Sequence, residues 1–202
     1  MPTSFGQMRV EEFLEQTASK QPTPGGGAVA AVTGALGAAL GQMVLAYSLG
    51  KKSLVAHQPM LEKTMLVLGR AQGKFIELAE ADARAYSVVN ELMRLPETDT
   101  RRVAEWADAV AASVRPPMAA LGLACECARV LRELCGRTNT FLKSDLAIAG
   151  VLAEACAAAA KWNVVVNVPQ LPEGERAKML AEAERLHAVC VGLRSEIEKA
   201  CG

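Results

Sequence analysis

Aromatic side chains make up only 4% of this 202-residue chain, so its interior must be built from Ala, Leu and Val. Such an interior suits closely packed helices, and no stretch shows the sustained period-two alternation of a half-buried strand. Net charge is also lacking, since 22 Lys and Arg balance 22 Asp and Glu. That balance removes the basic footprint a nucleic-acid binder needs. Histidine occurs twice, as His57 and His187, and neither has metal-ligand company. The six cysteines (Cys125, Cys127, Cys135, Cys156, Cys190, Cys201) form no CxxC and no zinc-like spacing with a histidine. Free buried thiols in a reducing compartment are therefore expected, with no metal. The N-terminal residues lack a basic segment followed by an apolar one, so no signal peptide and a cytoplasmic location are expected. Repeats, low-complexity tracts and linkers are absent too, which leaves one domain over 1–202.

What the chain does have is a stretch from Gln21 to Gly50 without one charge. It opens with Pro22-Thr23-Pro24-Gly25-Gly26-Gly27 and closes on Gly50-Lys51-Lys52. Glycines let backbone N–H groups approach a ligand, and the helix that follows offers its positive end to an anion. A membrane span is disfavoured by residue type, because the run is mostly Ala and Gly with Thr33, Gln42, Tyr47 and Ser48. Its small residues Ala30, Gly34, Gly37 and Gly41 share one face of a helix, the pattern of a close helix-packing seam. A buried helix of the bundle is expected, with no membrane partner. An Ala-rich, near-neutral helical chain also favours self-association.

The remaining pattern is helical. Helices are expected over about Gln7–Ser19, the small-residue run to Ser48, Pro59–Leu95, Arg101–Val114, a segment after Pro116-Pro117 to Cys135, Ser144–Val168, and Glu173–Lys199. Ser144 suits an N-cap and Gly136 a C-terminal stop. Asn163 to Val168 is the one place where β-branched residues favour a strand. The fold class expected is all-α, a single-domain bundle of six to eight helices.

Polar residues break the apolar faces in two places. Asp82 sits amid Phe75, Leu78, Ala79, Ala85, Tyr86 and Val89, where a carboxylate is costly unless paired or employed. It is either a functional acid or base, or a structural partner of a basic residue or helix end. Asp145 falls in line with Ala149, Cys156, Ala160 and Asn163, and Asn167 continues that face. Asp145 is either part of a site or a favourable first-turn acid, and the asparagines bind either ligand or loop backbone. Arg137-Thr138-Asn139 forms a loop able to close over a ligand, and Lys51 and Lys52 are either anion contacts or solvated.

Together these features resemble the cyclodeaminase/cyclohydrolase family that acts on one-carbon tetrahydrofolates. The matching residues are Phe13-Leu14, the Pro22 to Gly27 block, the Ala/Gly helix ending in Gly50-Lys51-Lys52, Asp82 with Ala85-Tyr86, Leu95-Pro96, Asn139, Ser144-Asp145, and Asn163 to Asn167. The glycine block is the most specific of them. The resemblance implies an all-helical fold like the C-terminal domain of formiminotransferase-cyclodeaminase, a homodimer, and a tetrahydrofolate derivative as substrate with no cofactor. It implies methenyltetrahydrofolate cyclohydrolase activity, with formiminotetrahydrofolate cyclodeaminase or a non-catalytic helical dimer as alternatives. Catalysis would fall to Asp82, Asp145 and Lys52, and substrate binding to Gly25, Gly26, Gly27, Asn139, Ser144 and Asn167. The chain departs from the family at Ser53-Leu54, where a basic residue and an aromatic usually follow the lysines.

Overall fold

A computed structural model describes residues 4–202. Its six α-helices are α1 (Val10–Ala18), α2 (Gly26–Ala46), α3 (Gln58–Met93), α4 (Thr100–Glu133), α5 (Lys143–Asn167) and α6 (Glu173–Cys201). Short 3-10 turns occupy Phe5–Gln7, Lys52–His57, Thr140–Leu142 and Val168–Gln170, and the described residues contain no strand. Asn163 to Val168, where a strand competed in the sequence, forms the last turns of α5 and the first residue of the 3-10 turn that follows.

The small-residue helix α2 is the centre of the bundle, flanked by α3 and α5. Gly34 packs on Phe75 and Cys156, Gly37 on Leu152 and Ala153, and Gly41 on Leu68 and Leu131. With Gly27 against Asp82 and Gly26 against Asn163, partners on α3 and α5 fall in number as α2 rises. Both neighbours therefore run antiparallel to α2. By length and composition α2 would cross a bilayer, but 56% of its apolar window is buried inside the bundle.

Close approach here is a steric necessity. A Cβ at Gly34 would stand 2.6 Å from Phe75 Cε1 and 2.8 Å from Cys156 Sγ. Gly34→Ala gains about 1 kcal/mol of helix propensity but overpacks the core by about 1–3 kcal/mol. A net loss of stability is expected, read as a lower denaturant midpoint; a raised midpoint would show that the seam is loose.

Two boundaries differ from the sequence reading. Pro116 and Pro117 do not divide two helices; α4 runs through them as one element. Tertiary packing overrides the proline penalty, since both rings are buried between neighbouring helices. Ser144 is not an N-cap, because α5 begins at Lys143 after Leu142 and no side chain caps it. The Thr140–Leu142 turn feeds α5 directly, so Asn139 caps instead, accepting a bond from Phe141 N at 3.3 Å. Gly136 has φ +75°, the left-handed conformation of a helix stop.

Helix α6 closes the bundle over α4 and α5. Ion pairs Arg132–Glu196 (2.7 Å) and Lys161–Glu184 (3.0 Å) line its seams, with His187 Nε2 3.1 Å from Glu154. Each of α4, α5 and α6 also buries a thiol, Cys127, Cys156 and Cys190, pushed up to about 12, chiefly by burial.

Candidate functional site

The antiparallel bundle brings four helices to one end. The start of α2, the later half of α3, the middle of α4 and the end of α5 surround a cavity of about 320 Å³. Gly25, Gly26, Gly27, Asp82, Tyr86, Ser113, Asn163 and Asn167 line it, with Gln21 to Thr23 forming one wall.

Asp82 stands against the first turn of α2. A Cβ at Gly27 would overlap all three atoms of its carboxyl group, so only glycine lets the acid sit there. The chain's own carboxylate thus lies beside the helix end expected to take an external anion. No hydrogen bond or ion pair among the described residues engages Asp82 through its side chain, so it is not a structural partner of a basic residue. Burial pushes its pKa up to about 6, which leaves it mostly ionised at neutral pH and ready to take a proton.

The two asparagines extend this environment. Asn163 Nδ2 donates to Ala159 O at 2.9 Å, and Asn167 Nδ2 donates to Ser113 O at 3.3 Å. A carbonyl can only accept, so these bonds fix both amides with Oδ1 left over as an acceptor. The Ser113 carbonyl is free because Pro117, four residues on, has no N–H to bond it. The diproline read as a helix break therefore supplies the fourth wall. Ser113 went unnoticed in the sequence; its one available signal was its position four residues before that proline.

The other candidates lie at the opposite end of the same bundle. Asp145 and Asn163 are 18 residues apart on α5, about 27 Å by helical rise. Ser144 and Asp145 open α5, Lys52 opens the 3-10 turn after α2, and Asn139 joins the two. Asn139 N donates to Ser48 Oγ (2.9 Å) and Nδ2 to Tyr47 O (3.4 Å), so its amide ties the loop to the end of α2. Within one chain, Gly25 to Gly27, Asp82 and Asn167 come together, while Lys52, Asn139, Ser144 and Asp145 form a second cluster. A wider groove of about 720 Å³ beside Met118 and Met179 adjoins neither.

The family model for formiminotransferase-cyclodeaminase matches residues 9–185, a span containing both clusters. The chain belongs to this family. Its relatives there include a methenyltetrahydrofolate cyclohydrolase of Methylorubrum extorquens, 32% identical over 95% of both chains. A formimidoyltransferase-cyclodeaminase of Gallus gallus is 30% identical over 80% of this chain, which spans only 30% of that relative. The fold matches the crystal structure of a formiminotetrahydrofolate cyclodeaminase from Thermotoga maritima with a TM-score of 0.87, at 28% identity over 96% of each chain. The all-α bundle is therefore the formiminotransferase-cyclodeaminase family's own fold.

Proposed function

We propose that this family member is a methenyltetrahydrofolate cyclohydrolase, opening 5,10-methenyltetrahydrofolate to 10-formyltetrahydrofolate. The observation that carries the reading is Asp82: an unpaired, half-buried carboxylate held on Gly27 in a cavity of about 320 Å³. The substrate's bridging carbon shares a positive charge between N5 and N10. An ionised Asp82 offsets that charge and takes a proton from the attacking water. The protonated acid then hands that proton to N5 as the carbon–N5 bond breaks. The adduct's hydroxyl proton leaves to solvent as the formyl C=O forms, so one proton is released per turnover. The free Oδ1 atoms of Asn163 and Asn167 are acceptors for the N–H edge of the pterin, and Gly25 to Gly27 allow its close approach. No cofactor enters this scheme.

The chain acts in this reading as a cytoplasmic homodimer. Support comes from an exposed apolar face shared by α2 and α5, including Leu36 (57% exposed), Tyr47, Ile148, Trp162 (66%) and Val166. Helix α2 carries no charge, so the face continues along its full length. Faces of this extent mark interfaces. A two-fold axis near Leu36 would pair α2 with its copy in antiparallel fashion. The Gly27 end of one chain would then meet the far end of the other, where Lys52 of the partner subunit and Asp145 of the partner subunit lie. Lys52 would contribute a cation or proton donor there, and Asp145, Ser144 and Asn139 would close the cleft. Leu36→Glu is expected to halve the mass seen by light scattering; an unchanged mass would place the interface elsewhere.

The test of function is loss of methenyltetrahydrofolate near-ultraviolet absorbance above the buffer rate. A cyclodeaminase reading is favoured by the Thermotoga maritima neighbour; in that reading N10 attacks the formimino carbon of 5-formiminotetrahydrofolate and ammonia leaves. Ammonia release from 5-formiminotetrahydrofolate, with no cyclohydrolase rate, would replace the first reading with the second. Silence in both assays would leave a non-catalytic helical dimer.

A further inference from the structure

We propose that the groove between the N-terminal segment and α3 is the binding site for the substrate's p-aminobenzoylglutamate tail, with Arg84 holding the glutamate carboxylate. This deepens the folate reading above and rests on it. The groove has a volume of about 670 Å³ and adjoins the Asp82 cavity, because Gln21 and Thr23 line both. Helix geometry explains the adjacency. Asp82 and Tyr86 lie one turn apart and face the cavity, while Ala83 and Ser87, rotated by one residue, face the groove. A ligand anchored at Asp82 by its pterin would pass over the Gln21–Thr23 wall into this second space.

The groove matches the chemistry of the tail. Phe5 and Met8 give it an apolar side for the benzoyl ring, and the Phe5 ring is held edge-on by Phe13 at 5.7 Å. Among the described residues its one cation is Arg84, whose side chain is 71% exposed. Arg84 is only loosely engaged, 3.7 Å from Glu80, and such an exposed ion pair holds it weakly. Glu80 itself accepts a hydrogen bond from Ser4, which draws its carboxylate to the N-terminal segment. The planar guanidinium is therefore free to take a carboxylate in bidentate fashion. Lys52, an anion contact in the sequence reading, lies within the same subunit at the opposite end of the bundle from this groove, and in the dimer reading above the partner's Lys52 serves the Asp82 cavity.

The test compares two substrates that differ only in the glutamate: 5,10-methenyltetrahydrofolate and 5,10-methenyltetrahydropteroate. The wild type is expected to show a KM for the folate about five- to tenfold below that for the pteroate, the worth of one charge-assisted pair at a partly exposed position. Arg84→Gln is expected to bring that ratio close to one, and Arg84→Lys to keep part of it. A ratio unchanged in Arg84→Gln would overturn the proposal, as would equal KM values in the wild type. A second measurement is independent of turnover. Titrating free p-aminobenzoylglutamate into the isotope-labelled protein should shift the amide signals of Phe5, Met8 and Arg84, and Arg84→Gln should abolish those shifts. Shifts elsewhere or none would place the tail outside the groove. If neither substrate is turned over but these shifts appear, the catalytic reading fails and the tail site stands.

Discussion

Asp82→Asn is expected to lower kcat by about a hundred- to ten-thousand-fold while leaving the helical fold intact, the range typical of losing a positioned general base. An amide fills the same space on Gly27 but can neither take the water's proton nor balance the substrate's charge. The wild-type kcat/KM should rise with pH through about 6 and then level, because the free enzyme needs Asp82 ionised. The same substitution should act on stability in the opposite direction. The carboxyl's pKa is raised on folding, so the native state binds its proton more tightly than the unfolded chain does. This favours folding at low pH, and the advantage is lost as pH rises from about 4 to about 6. Ionised Asp82 thus destabilises the neutral-pH protein by at most about 3 kcal/mol. Asp82→Asn should recover part of that and flatten the pH dependence across this window. Unchanged turnover would remove Asp82 from the chemistry, and an unchanged denaturant midpoint would mean that its carboxyl is well solvated.

The second large effect is a rescue. Lys52→Ala is expected to cost about ten- to a hundred-fold in kcat if that lysine completes the site of the partner subunit. In a heterodimer of Asp82→Asn with Lys52→Ala, one site carries both lesions and the other carries neither. Co-expression with two affinity tags and sequential purification should therefore give about half of wild-type activity from two nearly inactive parents. A heterodimer as inactive as its parents would show that each site is completed within one chain. Full activity of Lys52→Ala alone would remove the lysine from the mechanism.

The bundle was legible because helical periodicity is a local property. The seam of Ala30, Gly34, Gly37 and Gly41 announced a close helix crossing, and the structure packs side chains of α3 and α5 against those glycines. Asp82 was legible for a similar reason, as a charge interrupting an apolar face. The diproline misled because a proline's penalty is local, whereas the packing that carries α4 through Pro116 and Pro117 is not. Positions along α5 misled in another way. Asp145, Asn163 and Asn167 share a face, but a shared face says nothing of height, and about 27 Å of helix separates the first from the second. Only antiparallel neighbours reveal which ends meet.

The thiols have a practical use. Cys127 beside the α3–α4 groove, Cys156 against Gly34 of α2 and Cys190 on α6 are all buried, and at pH 8 a thiol of pKa about 12 is ionised about once in ten thousand molecules. Alkylation must wait until these helices part. The rate at which each cysteine is labelled therefore reports the opening free energy of its own seam, and mass spectrometry of native protein would rank the helix junctions without any substitution. Ligand-induced slowing at Cys156, which touches Gly34, would reveal how far binding at the Gly27 end tightens the bundle.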